Sequence, residues 1–110
     1  MSDYQRKRLQ EEIKRTLNEI IEFKARDPRI GFVAVTGVKL SPDMRHATVF
    51  LDFLDEGRKD ELLGLFEQDR GFFRSELAKR LDLRYTPELH FREDETLGRA
   101  RRIDELLKEG

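Results

Sequence analysis

The chain has 110 residues, enough for one domain that buries roughly two thirds of the surface its unfolded form exposes. It has no cysteine, which excludes disulfides and cysteine-based zinc sites and fits a reducing, cytoplasmic setting. No apolar run approaches the ~20 residues of a membrane span, and the N-terminal "MSDYQRKRLQEEIKR" lacks the apolar core of a signal peptide, so a soluble protein with no membrane partner is expected. Residues 4–25 carry Leu9, Ile13, Leu17, Ile20 and Ile21 at helical spacing and predict an amphipathic helix, with Asp3 as its N-cap. Pro28 in "RDPRIG" (26–31) removes a donor and disfavours helix at Asp27, so the helix stops there. "FVAVTGVKL" (32–40) and "RHATVFLDF" (45–53), rich in β-branched and aromatic residues and joined by "SPDM", predict an antiparallel hairpin. On its second strand Ala47, Val49, Leu51 and Phe53 share one face and His46, Thr48, Phe50 and Asp52 the other, so one face is core and the other wetter.

Residues 58–69 predict a second helix, and a third runs to about Leu81 with Phe73 and Leu77 on its apolar stripe. Between them lies "DRG". Gly71 weakens a helix by about 1 kcal/mol relative to alanine. It therefore reads as a break, either a plain helix end or a place where the backbone turns or meets another segment closely. Asp69 is suited to cap the third helix by accepting from the N–H of Gly71 or Phe72. "YTPELHFRE" (85–93) predicts a third strand with Pro87 at its start, where proline is tolerated. A last helix over 97–108 places Ile103, Leu106 and Leu107 on one face. The order α-β-β-α-α-β plus a C-terminal helix predicts an α+β two-layer sandwich, a three-stranded sheet with helices on one face. Its third strand, reached by a helical crossover, should run parallel to the second.

A net charge of −1 conceals uneven distribution, since 41% of residues are charged. Residues 52–61 hold five acids and two bases, residues 70–84 five bases and two acids, and "GRARR" (98–102) is purely basic. A chain with no overall attraction to polyanions can still present a basic face. Enzyme chemistry finds little support: His46 and His90 are the only histidines, both on predicted strands, with no visible nucleophile–base or metal-ligand spacing and no phosphate-binding glycine loop. Neither a catalytic nor a metal site is expected.

The segments "RDPRIG", "VTGVKLSPDMRHATVFLDFL" (35–54) and "GFFRSELAKRLDLRYTPELHF" (71–91), in that order, resemble the ribosome-binding factor A family of bacterial small-subunit assembly factors. The resemblance covers residues 4–95. It implies a single KH-like domain of the second topological type over residues 1–110. The phosphate-clamping Gly-x-x-Gly loop is replaced there by a helix pair kinked at an Ala-x-Gly. Here Gly71 occupies the glycine position, while Asp69 departs from the alanine.

The resemblance also implies contact with small-subunit ribosomal RNA through the third helix, where Arg70, Gly71, Arg74, Lys79, Arg80 and Arg84 are the candidates. Phosphate contacts of this kind supply affinity and position. Arg29 and Arg45 are secondary candidates. Arg6, Lys7 and Arg8, and Arg99, Arg101 and Arg102, would extend the surface. Phe50 and Tyr85 are the aromatics available for base stacking, with core or subcore packing the expected place for both. A solvated helix face with internal pairs such as Glu76–Arg80 is the plain alternative. The expected function is a monomeric, non-enzymatic factor without cofactor. It would bind the small ribosomal subunit or its precursor and assist late maturation of its RNA, including the 5′ end, and growth in the cold. A protein-interaction adaptor using a sheet edge or the first helix is the second reading, and a small α+β enzyme the third.

Overall fold

In a computed structural model, residues 2–24 and 32–109 are described. The "RDPRIG" segment, with Arg29 and the expected stop at Pro28, lies outside them. The chain runs α1 (Asp3–Lys24), β1 (Val33–Leu40), β2 (His46–Phe53), a 3-10 turn (Glu56–Arg58), α2 (Lys59–Gln68), α3 (Arg70–Arg80), β3 (Glu88–Glu93) and α4 (Glu95–Glu109).

Helix α1 is capped one residue earlier than expected. Ser2 Oγ accepts from the Gln5 N–H at 3.2 Å while Gln5 Oε1 accepts from the Ser2 N–H at 3.0 Å, a reciprocal capping box. Asp3 has no such partner three residues on, because position 6 is arginine; it pairs with Arg6 at 3.2 Å instead. Ile13, Leu17, Ile20 and Ile21 are buried, and Leu9 packs at the margin. Two polar side chains of α1 seal the outer edge of the sheet. Asn18 Oδ1 accepts from the Val35 N–H at 2.8 Å and its Nδ2 donates to Val35 O at 2.9 Å, and Gln10 Oε1 accepts from the Leu40 N–H at 2.9 Å. An edge strand left bare would invite pairing with another chain.

The sheet order is β1-β2-β3, antiparallel across the first pair and, as the crossover demands, parallel across the second. A bulge at Thr36 inserts one residue between Val35, opposite Leu51, and Gly37, opposite Phe50. The bulge resets the pleat, so β1 buries Val33 and Val35 and then Val38 and Leu40. On β2 the alternation is regular, with Ala47, Val49, Leu51 and Phe53 buried.

Helices α2 and α3 are distinct, separated by Asp69 alone. Asp69 leaves the helical region (φ −92°, ψ 11°), yet its N–H still donates to Leu65 O at 3.0 Å and its carbonyl accepts from the Phe73 N–H at 3.1 Å. The expected side-chain cap is not made. The one-residue joint stays inside this continuous ladder, so the backbone satisfies the joint without the carboxylate. Nor does Gly71 make the turn: its φ is not positive, and nothing lies within 4 Å of where a Cβ would stand. The joint is held from beneath by rings. Phe66 and Phe73 stack at 5.2 Å, and both meet Phe91 of β3 edge-on at 5.3 and 5.8 Å. Such pairs contribute about 0.5–1.5 kcal/mol each beyond area burial.

Helix α4 touches the opposite side of the sheet, so the three earlier helices and α4 do not share one face. Arg101 makes a two-pronged ion pair with Asp52, on the outer face of β2, and donates to Phe53 O at 3.1 Å. Ile103, Leu106 and Leu107 are exposed. Among the described residues, no helix is long and apolar enough to cross a membrane.

Candidate RNA interface

With Phe73 and Leu77 pointing into the core, helical geometry places Gly71, Arg74, Ser75 and Ala78 together on the outer side of α3. The loop after α3 returns past this side, and Arg84, Tyr85 and Thr86 complete a shallow groove with it. Arg74, Tyr85 and Thr86 also line a second depression, whose far wall is the hairpin turn from Asp43 to His46. The two depressions share these three residues. The turn is locked against β3, because the Glu88 N–H donates to Arg45 O at 2.8 Å. Within the turn, Asp43 Oδ1 accepts from the Arg45 N–H at 3.1 Å and from the Ser41 hydroxyl. The Ser41 hydroxyl, then the Arg45 N–H, hold the Asp43 carboxyl below its ordinary value. Met44 takes a left-handed backbone (φ 65°), and its side chain packs on the core.

The expected basic residues separate into two groups. Arg74 Nη2 donates to Thr86 O at 3.0 Å, which orients the guanidinium without neutralising it. Arg84 lies 5.7 Å from the centroid of the Tyr85 ring. Arg45 is exposed on the turn. Among the described residues, none of these three has a carboxylate at ion-pair distance. Arg70, by contrast, pairs with Glu67 at 3.4 Å and Lys79 with Glu76 at 3.6 Å. Arg80 turns toward α1, 3.8 Å from both Glu76 and Glu19. The structure thus brings Arg45, Gly71, Arg74 and Arg84 together and sets Arg70, Lys79 and Arg80 in internal pairs. Arg29 lies outside the described residues.

Tyr85 corrects an expectation. It is 76% exposed rather than packed, because Pro87, two residues on, is the buried residue that anchors the loop. Phe50 is half-buried on the outer sheet face. The basic residues of α4 do not extend the surface as free charges: Arg99 pairs with Glu95 at 3.3 Å, Arg102 with Glu56 at 3.3 Å, and Arg101 with Asp52. On α1, Arg6 and Arg8 pair with Asp3 and Glu12, and Lys7 is exposed. Alanine at position 71 would meet open space, so the missing Cβ serves nothing within the folded chain. It leaves bare backbone at the first turn of α3, a helix that opens without a side-chain cap. Backbone without a Cβ admits close approach by another molecule.

Sequence reasoning missed one cluster. His46, Glu88 and His90 converge on the outer sheet face beside the groove, with His46 Nδ1 3.0 Å from His90 Nε2. Only the parallel register of β2 and β3, which sets His46 opposite Glu88, reveals it.

Comparisons with known proteins bear on what this groove is for. The family model for ribosome-binding factor A matches residues 5–107, which takes in most of α4 and extends past the resemblance read from the sequence. A ribosome-binding factor A from Natranaerobius thermophilus is 45% identical over 111 aligned positions, covering 99% of this chain and 84% of that one. The crystal structure of ribosome-binding factor A from Thermus thermophilus superposes with a TM-score of 0.72 at 27% identity, covering 80% of this chain and 94% of that one. A homology model of the Thermus thermophilus factor, fitted into a cryo-EM map of its complex with the 30S subunit, superposes with a TM-score of 0.65 at 28% identity, covering 79% of this chain and 92% of that one. The α+β architecture is accordingly the KH-like one of these neighbours, and the chain belongs to the ribosome-binding factor A family.

Proposed function

We propose that this chain is a non-enzymatic assembly factor of the small ribosomal subunit. It acts in the cytoplasm as a monomer and grips ribosomal RNA in the groove of Arg45, Gly71, Arg74, Arg84 and Tyr85. The observation that carries this reading is the grouping of Arg74 and Arg84, both free of carboxylates, around an exposed ring and a bare stretch of backbone. Each part has a matching partner on RNA. Guanidinium groups meet phosphates, Tyr85 offers a face to an unstacked base, and Gly71, with open space where a Cβ would stand, lets RNA come close to α3. Arg70, Lys79 and Arg80 form an outer rim whose charges are released from their acids only where phosphate competes. The contacts need no cofactor. The Thermus thermophilus relative's fit to the 30S subunit supports the choice of target.

A binder changes an RNA only through its differential affinity for two arrangements. The factor therefore prefers the immature geometry of the subunit RNA, including its 5′-end region, and leaves when the mature geometry forms. This gives late maturation, and growth in the cold, their physical basis.

The test is a photo-crosslink. With Tyr85 replaced by p-benzoylphenylalanine and the chain bound to precursor small subunits, the adduct should form on ribosomal RNA. Adducts confined to ribosomal proteins would support the adaptor reading instead. One observation favours that reading, the exposed stripe of Ile103, Leu106 and Leu107 on α4. Another opposes it, since Gln10 and Asn18 already occupy the outer edge of β1.

A further inference from the structure

The structure assigns a second ligand to the sheet: we propose that His46, Glu88 and His90 form a binding site for a late first-row divalent cation such as Zn²⁺. The argument starts from strand geometry. Glu88 and His90 are two residues apart on β3, so both side chains leave the same face, while Leu89 between them is buried. The parallel register sets His46 opposite Glu88, and His46 points to that same outer face because Ala47 is buried beneath it.

Three donor atoms result, all within 4.8 Å of one another. His46 Nδ1 is 3.0 Å from His90 Nε2 and 3.7 Å from Glu88 Oε2. A tetrahedral zinc with bonds of about 2.0–2.1 Å spaces its ligands ~3.3 Å apart, a value the two observed separations bracket. In the metal-free chain one proton between the two imidazoles explains the shorter contact. A proton carried on His46 Nδ1 also faces the Glu88 oxygen, so three donor atoms converge on one point. A cation in the proton's place satisfies all three.

The donor chemistry selects the metal. Two neutral imidazoles and one carboxylate suit Zn²⁺, Cu²⁺ or Ni²⁺, whereas Mg²⁺ and Ca²⁺ require oxygen ligands. Either histidine nitrogen can ligate. Three protein ligands on an exposed face leave a fourth position for water or an incoming group, and the site adjoins the Arg45–Arg74 groove. Its immediate effect is to staple the start of β3 to the start of β2, where the hairpin turn is already tied to Glu88. The proposal stands whether or not the groove meets RNA.

The experiment is a calorimetric titration of the full-length chain with Zn²⁺, with Mg²⁺ as control. One equivalent should bind and raise the melting temperature. Loss of an outer partner of a metal site costs about 10–100-fold in affinity, so loss of a ligand by His46→Gln or His90→Gln should cost at least that much. Arg99→Gln, on α4 and not a ligand, should leave binding intact. In nitrogen-detected NMR, the ring signals of His46 and His90 should shift together and saturate at the same equivalence. All three ligands are at the surface, so circular dichroism should show the variants folded. Zn²⁺ binding that survives the double His46→Gln/His90→Gln variant, equal competition by Mg²⁺, or no saturable binding below roughly millimolar Zn²⁺ would each overturn the assignment.

Discussion

The two most basic stretches of the chain have opposite fates. "GRARR" in α4 carries only positive charge, yet each of its arginines meets a carboxylate: Arg99 at Glu95, Arg101 at Asp52, Arg102 at Glu56. The segment from Arg70 to Arg84 contains its own acids, yet keeps two uncompensated guanidinium groups, at Arg74 and Arg84, beside Arg45, which has no carboxylate at ion-pair distance but lies in the field of Asp43. Local charge density therefore misleads. What decides the potential is whether the fold brings an acid within reach: "DFLDE" (52–56) supplies the acids for Arg101 and Arg102, and Glu95 of α4 itself the one for Arg99. One basic stretch serves as a clamp, and the other stays open as a surface.

The largest effect should come from reversing charge on the open side. Arg74→Glu with Arg84→Glu should weaken binding to purified small subunits on the order of tenfold or more. Arg99→Glu with Arg102→Glu, equal in formal charge change, should alter binding far less. Equal losses for the two pairs would erase the distinction.

Next is the clamp. Arg101→Ala leaves Asp52 without its partner and frees α4 from β2. It should cost about 1–2 kcal/mol in denaturant unfolding, a value discounted for the solvent that reaches Arg101. Subunit binding per folded molecule should be unchanged.

Gly71→Ala separates stability from function. The helical φ and the open space around a Cβ predict stabilisation by about 0.5–1 kcal/mol, read as a higher melting temperature. The added methyl should nonetheless weaken subunit binding several-fold by standing where the backbone meets RNA. A chain that is both more stable and a better binder would mean that this backbone is not approached.

The smallest effect concerns the turn. The folded Asp43 carboxyl is held below its ordinary value of 3.8, so its contribution is present above that value and lost as pH falls through the lower folded value. Amide exchange at Arg45 should quicken in that acid window, and Asp43→Ala should remove the pH dependence.

Much of the architecture was legible because it follows from periodicity. The α1 stripe, the alternation on β2 and the crossover that makes β3 parallel all come from apolar spacing and connection length. Features set by one atom meeting another were not. Asp3 and Ser2 are both good caps, and only the glutamine at position 5 chooses between them. The Thr36 bulge shifts the pleat with Gly37 as its one local sign, while Thr36 Oγ1 donates to Asp94 at 2.7 Å, 58 residues away. Asp69 could have capped α3, but the backbone ladder across the joint made the side chain unnecessary. Tyr85 was expected inside because it is aromatic, whereas the buried anchor of its loop is Pro87. The candidate site was legible as a segment but not as a surface: the sequence offered Arg45, Arg70, Arg74, Lys79, Arg80 and Arg84 alike, whereas ion pairing sets Arg70, Lys79 and Arg80 apart and the register of β3 on β2 assembles the histidine cluster.

The central claim is that carboxylate-free arginines beside Tyr85 meet ribosomal phosphates. The direct measurement is the affinity of the chain for purified small subunits across a range of salt concentrations, for the native chain and for Arg74→Glu/Arg84→Glu. A steep fall in affinity with salt for the native chain, with the slope reduced by about 1 for each phosphate contact removed in the variant, is the predicted result. A flat response, or a slope that the double variant leaves untouched while the chain remains folded, would contradict it.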